Sequence, residues 1–505
     1  MSERQLMSER QPMSEQATSA TATPETAPTA PTGWSRIIDA SGIALFVLGF
    51  AVIVALDEIQ GTLRDEFVPS TIIWFLVAFV GFVLMLRIQS ARETAFDWRW
   101  LLAVGFIARL ALLTTVPTLS DDVWRYIWEG NLVNQGVSPF SVTIDSPIAE
   151  TFNIEAREFA NNTSFASPYL PVAHAVFALT VLVLPSAPWA IQLVMIGFDT
   201  LAVAAMIKLL PAVGLPARRS LIYWLNPLVV IEIGHGAHLD AIIVGLTMLS
   251  LWLTFDVSKR STWAIYAAPL VFAAATLTRP LTLLFVPILF WVWNWPQRVI
   301  FGLAASIPVL IAGAWVGFGL IDPDGTGVFG TIVLFSEDFR FNTAIYQALE
   351  RWLGQQGVTD SVGVTRVIVA ILVISSMAAI FVWARRKRDD LSTLRLLAVP
   401  MMMYLLLTPI LHPWYTLLLL LMLPFLAPRP GESLLRWISV APWLTLAALL
   451  IFSYLTYIDN EAHAELSWVR HLEWYPTLGL LGAAVAAALW WNRPRVSTGT
   501  STGNN

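Results

Sequence analysis

The sequence predicts an all-α polytopic membrane protein, and three observations carry that prediction. Of its 505 residues, 56% are hydrophobic and only 13% are charged, whereas soluble domains carry about 25% charged residues. The mean hydropathy is +0.66. The apolar residues form long blocks such as 37–56 and 367–382, close to the length that crosses a ~30 Å hydrocarbon core. The blocks do not alternate as transmembrane strands would, so we predict helices, which satisfy their own backbone hydrogen bonds in lipid.

The distribution of basic residues predicts a bundle of about fourteen transmembrane helices with both termini in the cytoplasm. The sequence contains fifteen hydrophobic blocks. If all of them spanned, the Arg385–Arg388 cluster would face outward, against the preference of Lys and Arg for cytoplasmic span ends. The block over 169–185 is bounded by prolines on both sides. We therefore interpret it as a juxtamembrane helix on the outer face, which places the other basic clusters inside.

The chain divides into one membrane domain and two tails. Residues 1–33 contain a repeated six-residue motif and an Ala/Thr/Pro tract with little apolar content, which predicts a disordered cytoplasmic tail. The transmembrane domain is predicted over 34–492 and a second cytoplasmic tail over 493–505. Two extracytoplasmic loops are predicted inside the domain, one over 118–188 that includes the juxtamembrane helix and one over 320–361.

Several classes of site are disfavoured by the residues themselves. The chain has no cysteine, which excludes disulfides, thiolate metal sites and a cysteine nucleophile. It also lacks a P-loop and a strand-linked GxGxxG motif, and its histidines fall near the predicted outer ends of spans. These features argue against cytosolic nucleotides as substrates. No cofactor and no nucleic-acid partner is expected, and a resident metal is not predicted.

Asp121 and Asp122 begin a predicted helix directly after the third span. Helical spacing places four residues on one face of it, namely Asp122, Arg125, Tyr126 and Glu129. The same spacing predicts a contact between Asp121 and Arg125. A carboxylate oriented by an arginine is suited to accept a proton from a hydroxyl group. The alternative is that the acidic pair only caps the helix and complements its dipole.

This segment resembles the GT-C superfamily of membrane glycosyltransferases, and within it the polyprenol-phosphate-mannose-dependent mannosyltransferases. The likeness is strongest over 119–140 and extends more weakly to about residue 430. The matching residues are Ser120, Asp122, Val123, Trp124, Arg125, Tyr126, Gly136, Pro139 and Phe140, with Trp124 where the family usually has Tyr. The resemblance implies that Asp122, or alternatively Asp121, is the catalytic base. Tyr126 and Glu129 are assigned to substrate binding.

The segment Gly234–Asp240 forms a second polar motif at the predicted outer face. It is similar to the family's H-N-D element through His238 and Asp240, with Leu239 in the middle position. We predict that His235, His238 and Asp240 contact the substrate. Binding of a divalent metal by the same three residues and a simple helix-cap turn are the alternatives.

Two further motifs supply cations and aromatic rings. Arg279 interrupts an apolar segment at the outer interface, where a guanidinium suits a departing lipid phosphate; the alternative is an interfacial snorkelling side chain. The segment His412–Tyr415 resembles the family's H-P-W-Y element. We assign His412 and Arg125 to the donor phosphate, and Trp414 and Tyr415 to the substrate. An aromatic-belt turn is the alternative for this segment.

The resemblance implies a glycosyltransferase of the cell membrane whose active site is extracytoplasmic. Its donor would be a polyprenyl-phosphate sugar, with mannose expected, and its acceptor a lipid-linked glycan or lipoglycan of the cell envelope. Transfer would invert the anomeric carbon. The alternative function is a transporter or flippase of a lipid-linked sugar. Carriers commonly contain internal repeats or charges at mid-membrane, and the sequence shows no convincing repeat.

Overall fold

The computed structural model describes residues 33–90, 97–317, 319, 326–386, 388–428, 437, 439–458 and 465–491. Within these residues the secondary structure is helical apart from one isolated bridge between Phe341 and Ile410, so the predicted all-α class is confirmed. The predicted tail over 1–33 lies outside the described residues except for Gly33, and the tail over 493–505 lies outside them entirely.

The α-helices vary from four to 28 residues in length. In chain order they are α1 (Gly33–Gln60), α2 (Val68–Ser90), α3 (Trp98–Ala111), α4 (Asp122–Asn134), α5 (Pro147–Glu150), α6 (Pro171–Val183), α7 (Pro188–Ala212), α8 (Leu221–Trp224), α9 (Pro227–Gly234), α10 (Asp240–Phe255), α11 (Trp263–Thr276), α12 (Val286–Val292), α13 (Trp295–Trp315), α14 (Gly330–Asp338), α15 (Ile345–Gln355), α16 (Ser361–Ala384), α17 (Asp390–Leu407), α18 (Leu417–Leu420), α19 (Leu423–Leu426), α20 (Ala441–Leu449) and α21 (Ser467–Trp491). Short 3-10 segments include Asp65–Phe67, Leu112–Thr114, Glu155–Phe159, Ala217–Ser220, Val257–Lys259, Pro280–Phe285, Pro413–Thr416 and Leu450–Tyr457.

Seven of the described helical segments are long and apolar enough to cross a membrane. They contain α1, α2, α7, α10, α13, α16 and α17. This confirms a polytopic membrane protein, while the number fourteen stays a prediction. The predicted juxtamembrane block forms α6, whose 13 residues extend about 20 Å at 1.5 Å per residue. That length is shorter than the ~30 Å core, in agreement with a helix that does not span.

Two of the long helices present apolar surface outward. In α13 and α16, only 11% of the most apolar 18-residue window is buried within the chain. Ile311 and Ile374 are 64% and 68% exposed. A continuous apolar face of this size is incompatible with exposure to water, so lipid is the natural solvent for these helices.

Helix α4, which begins with the acidic pair, packs closely against α6. Tyr126 stacks on Phe177 with ring centroids 4.5 Å apart. Gly130 makes the approach of the two backbones feasible, because a Cβ atom at that position would lie 2.8 Å from the carbonyl carbon and oxygen of Phe177. The acidic end of α4 is therefore fixed by close helix–helix packing.

Replacing Gly130 with Ala is expected to destabilise the protein by about 1–3 kcal/mol, because the added methyl group overpacks a backbone contact. A thermal unfolding midpoint in detergent would measure the effect. Gly197→Ala in α7 is the matched control, since nothing lies within 4 Å of a Cβ atom there. Equal midpoints for the two variants would contradict the close α4–α6 contact.

A helix break between α9 and α10 brings polar residues together at one end of the bundle. α9 starts at Pro227, with the Asn226 side chain accepting a hydrogen bond from Leu228 N at 3.0 Å. It ends at Gly234, whose carbonyl oxygen accepts a bond from Gln192 Nε2 at 2.8 Å. Ala237 then takes a left-handed backbone conformation with φ of 54°, a strained conformation that occurs mainly where surrounding contacts enforce it.

Candidate active site

A cavity of about 1060 Å³ lies at this end of the bundle. Its walls carry seven of the twelve residues that the sequence singled out: Asp121, Asp122, Arg125, Arg279, His412, Trp414 and Tyr415. The other five pack behind these walls: Tyr126, Glu129, His235, His238 and Asp240. A large cavity with converging polar groups is the usual form of a small-molecule site.

Asp122 lies at the first position of α4 and borders the cavity. Its Oδ1 accepts a hydrogen bond from Asn161 Nδ2 at 2.7 Å. Its Oδ2 lies 3.8 Å from His238 Nδ1, and the side chain is 13% exposed. No arginine or lysine pairs with Asp122 in the described part of the chain. This carboxylate is oriented by a neutral donor and stays available to a ligand in the cavity.

Asp121 has a different environment, and the predicted contact with Arg125 is not formed. Arg64, from the segment between α1 and α2, donates from Nη1 to both carboxylate oxygens of Asp121 at 2.8 and 3.0 Å. The Arg64 guanidinium also lies 4.0 Å from the ring centroid of Tyr457. The negative charge of Asp121 is therefore compensated by a cation, and its two carboxylate oxygens are already engaged by Arg64.

The structure gives Arg125 a different task from the predicted binding of donor phosphate. Its Nε donates to Glu129 Oε1 at 2.8 Å, as the helical spacing indicated. Its two terminal nitrogens donate to four backbone carbonyl oxygens, those of Asn161, Asn162, Phe165 and Ala166. An arginine has five N–H donors, and all five are thereby used. Arg125 fixes the segment that carries Asn161 and has no N–H group left for a phosphate.

Glu129 is fully buried, so the structure does not place it in contact with a substrate. Its second oxygen accepts a bond from Ser167 Oγ at 2.8 Å and lies 3.1 Å from His174 Nε2. Tyr126 is likewise fully buried, packed on Phe177 behind the cavity wall. Both side chains support the wall from behind.

Arg279 also lines the cavity. Its Nη1 lies 3.2 and 3.3 Å from the carboxylate oxygens of Asp240, and the guanidinium lies 4.6 Å from the ring centroid of Tyr415. The Arg279 side chain is 21% exposed whereas that of Asp240 is only 5% exposed. Asp240 therefore orients Arg279 from behind, and the guanidinium keeps an accessible edge toward the cavity.

Four aromatic rings form a continuous stack beside Asp122. Phe341 lies on His412 with centroids 4.9 Å apart, His412 on Trp414 at 4.5 Å, and Trp414 on His238 at 3.8 Å. The interplanar angles are 21°, 4° and 15°. His412 and Trp414 border the cavity, so the stack offers a flat aromatic surface to a sugar or an isoprenoid.

The two histidines of the aromatic stack have lowered pKa values. Burial lowers the pKa of His238 to about 4, against the opposing charges of Asp122 and Asp240. Burial lowers the pKa of His412 to about 3, and nearby His238 and Arg279 contribute in the same direction. Each ring can therefore offer one N–H donor and one acceptor nitrogen near neutral pH.

His235 and its neighbours do not converge as metal ligands would. His235 Nδ1 bonds Thr115 Oγ1 at 2.8 Å, and its Nε2 accepts from Thr118 N at 3.2 Å. His238 and Asp240 are directed to other partners, as described above. Among the described residues, no group of three or more His, Asp or Glu is arranged to hold a metal ion. The structure places His235 as a buried anchor of the helix break.

Several side chains at the site were not predicted. Arg64, Asn161, Tyr454 and Tyr457 border the cavity. Glu232 does not border it and accepts a hydrogen bond from the hydroxyl group of Tyr454. Two of them carry signals that could have identified them. With the N-terminus predicted in the cytoplasm, the segment over 57–69 after the first span falls outside, where a basic residue such as Arg64 is less expected. Glu232 is a carboxylate inside an apolar run, a type of residue that commonly has a function in membrane proteins.

Comparison with known proteins gives one consistent result. The family described as "Alpha-(1->6)-mannopyranosyltransferase, N-terminal domain" matches residues 40–295, just over half of the 505 residues. Alpha-(1->6)-mannopyranosyltransferase A of Mycobacterium tuberculosis (strain ATCC 25618 / H37Rv) is 25% identical over 427 residues, which cover 79% of this chain and 78% of that protein. No solved structure matches this chain significantly.

The chain belongs to the alpha-(1->6)-mannopyranosyltransferase family. It is a glycosyltransferase, and the resemblance to membrane mannosyltransferases inferred from residues 119–140 is confirmed.

Proposed function

We propose that this member of the alpha-(1->6)-mannopyranosyltransferase family transfers mannose from a polyprenyl-phosphate donor to a hydroxyl group of a lipid-linked glycan or lipoglycan. The reaction takes place at the extracytoplasmic face of the membrane and inverts the anomeric carbon. The observation that carries the proposal is the position of Asp122 and Arg279 on the walls of one cavity. The Asp122 carboxylate is suited to accept a proton, and the Arg279 guanidinium is suited to bind a phosphate.

The proposed chemistry follows from these two side chains. Asp122 takes the proton of the acceptor hydroxyl group, and the oxygen attacks the anomeric carbon from the side opposite the phosphate. The bond from that carbon to the phosphate oxygen breaks as the new glycosidic bond forms. The departing polyprenyl phosphate carries the negative charge, which the Arg279 guanidinium stabilises. Preorganised stabilisation of such a charge is commonly a large contribution to rate acceleration.

His412 and the aromatic stack complete the site. A neutral His412 can donate one hydrogen bond to a phosphate oxygen, and its ring forms a surface with Trp414 at 4.5 Å. Apolar side chains of Leu281, Leu284 and Ile332 also border the cavity and suit the isoprenoid part of a lipid donor. A water-soluble nucleotide sugar would gain nothing from these three contacts.

The donor can be tested with purified protein in lipid vesicles. We expect radiolabelled mannose to be transferred from polyprenyl-phosphate mannose to an oligomannoside acceptor, and no transfer from a nucleotide-linked mannose. The Asp122→Asn variant serves as the inactive reference in the same vesicles. Transfer from the nucleotide donor alone would overturn the proposed donor class. Movement of the labelled lipid between leaflets without glycoside formation would instead support a flippase.

The sidedness can be tested by cysteine labelling, because the wild-type chain contains no cysteine. We expect Ser186→Cys, between α6 and α7, to react with a membrane-impermeant maleimide in intact cells. Thr262→Cys, before α11, should react only after permeabilisation. Both positions are exposed, so accessibility of the side chain does not limit either reaction. The opposite labelling pattern would place the cavity on the cytoplasmic side.

A further inference from the structure

Two ion pairs between an arginine and an aspartate lie at the cavity, and they differ in which partner is accessible. Arg279 pairs with Asp240 at 3.2 Å, with side chains 21% and 5% exposed, and Asp240 does not border the cavity. Arg64 pairs with Asp121 at 2.8 Å, with side chains 19% and 30% exposed, and both border the cavity. The first pair therefore offers a cation to a ligand, whereas the second offers a carboxylate as its more accessible partner.

The carboxylate of Asp121 has unused capacity to accept hydrogen bonds. Asp121 precedes the first residue of α4, but its side chain makes no capping hydrogen bond to that helix. Arg64 Nη1 contacts its two oxygens at 2.8 and 3.0 Å. A carboxylate has about four lone-pair sites on its two oxygens, so each oxygen of Asp121 can accept a further hydrogen bond from a hydroxyl group in the cavity.

The arginine that holds this carboxylate is itself fixed by its neighbours. The backbone next to Arg64 is anchored where Leu63 N donates to Thr118 Oγ1 at 3.0 Å. The guanidinium lies 4.0 Å from the ring centroid of Tyr457, and Tyr454 stacks on that ring with centroids 6.2 Å apart and an interplanar angle of 20°. The ion pair is therefore ordered before a ligand binds, which lowers the entropic cost of binding.

The position of Asp121 beside Asp122 suits one ligand that contacts both. Consecutive Cα atoms are about 3.8 Å apart, so a hexose with one hydroxyl group on Asp122 can place another on Asp121. Sugar hydroxyl groups form strong hydrogen bonds with a charged carboxylate, whereas a phosphate group would be repelled by it. The chemistry of this pair therefore favours a neutral saccharide, in contrast to the cation offered by Arg279.

We propose that Asp121, oriented by Arg64, binds hydroxyl groups of the acceptor sugar and forms the acceptor subsite of the cavity. The inference rests on the proposed function, in which Asp122 is the base and Arg279 binds the departing phosphate. The ligand of this subsite is the mannose residue that carries the attacking hydroxyl group. Asp121 contacts the substrate, and Arg64 is a positioning residue that acts through Asp121.

The test measures KM for a mannose disaccharide acceptor and for the polyprenyl-phosphate mannose donor with Asp121→Asn in vesicles. The amide keeps the shape of the side chain but loses the charge that strengthens its hydrogen bonds. We expect KM for the acceptor to rise about tenfold or more. KM for the donor should stay within about twofold and kcat within about threefold, because lost binding that is equal in the ground and transition states raises KM alone.

Arg64→Gln is a second variant that leaves the carboxylate in place. It should raise KM for the acceptor by less than Asp121→Asn does, because Asp121 keeps its charge but loses the group that orients it. Arg64→Lys keeps the positive charge and should recover part of the loss. Glu150→Gln is the matched control, since Glu150 pairs with Arg157 at 3.3 Å and does not border the cavity. Its two KM values should equal those of wild type.

Deoxygenated acceptors identify the contact itself. Each disaccharide lacks one hydroxyl group of the reacting mannose other than the attacking one. At least one analogue should have a raised KM with the wild-type enzyme and little further rise with Asp121→Asn, because both changes remove the same interaction. The absence of any such analogue would overturn the subsite.

The remaining outcomes separate the subsite from the proposed function. A wild-type acceptor KM in Asp121→Asn would overturn the subsite, and so would equal rises in the acceptor and donor KM values, which indicate a general distortion. If Asp122→Asn measured in parallel stays active, the proposed function fails instead. If Asp122→Asn is inactive while Asp121→Asn has the wild-type acceptor KM, only the subsite fails.

Discussion

Replacement of Asp122 by Asn is expected to lower kcat by about 10²- to 10⁴-fold, the usual contribution of a general base. The amide has nearly the same shape as the carboxylate and can still contact Asn161, but it cannot accept the acceptor's proton. Steady-state transfer of labelled mannose in vesicles would measure kcat. Because the groups proposed to bind the donor are Arg279 and His412 rather than Asp122, we expect KM for the donor to change little.

Asp121→Asn provides the comparison for this variant. Asp121 is already paired with Arg64, so Asp121→Asn should reduce kcat much less than Asp122→Asn does. The remaining reduction should come mainly from Arg64, which loses its ion-pair partner at the edge of the cavity. Thermal unfolding in detergent would verify that both variants are folded. A larger loss of kcat for Asp121→Asn than for Asp122→Asn would reverse the assignment of the base.

Replacement of Arg279 by Met is expected to lower kcat by about 10²- to 10³-fold, the cost of losing one preorganised group that stabilises developing charge. It also leaves Asp240 buried without its cation, which should destabilise the fold by about 3 kcal/mol. The two effects have to be separated, because a poorly folded enzyme would also lose activity.

The double variant Arg279→Met/Asp240→Asn separates them. Removing both charges eliminates the unpaired buried carboxylate, so the unfolding midpoint should return toward that of wild type. The loss of kcat should remain, because the phosphate still lacks its guanidinium. Recovery of kcat together with stability would show that Arg279 acts only as a partner of Asp240.

Features that depend on neighbours along the chain could be predicted from the sequence. The helical face that joins Arg125 to Glu129 is an example, because i and i+4 residues meet in any α-helix, and the structure shows them 2.8 Å apart. The outer position of the juxtamembrane block was required by charge alone, and its side of the membrane stays a prediction. Its helix α6 is indeed short.

The failed contact between Asp121 and Arg125 shows where such reasoning ends. Helical spacing allowed Arg125 to contact either Asp121 or Glu129. The guanidinium is held beside Glu129 by four backbone carbonyl oxygens that lie 36 to 41 residues later in the chain. The partner of Asp121 likewise comes from 57 residues earlier. No periodicity encodes such distant contacts. Asn161, which donates a hydrogen bond to Asp122 from 39 residues later in the chain, belongs to the same class.

The aromatic stack and the Arg64–Tyr457 contact have a consequence for biosynthesis. Arg64 leaves the ribosome long before Trp414 and Tyr457, which lie several hundred residues later in the chain. An insertion intermediate that stops at residue 295 already contains Asp122, His238 and Arg279. It lacks Trp414, which stacks on His238, and Tyr457, which contacts the Arg64 guanidinium. A nascent chain therefore contains the proposed base early and the complete aromatic stack only late, so we expect a prematurely terminated product to be inactive in mannosyl transfer.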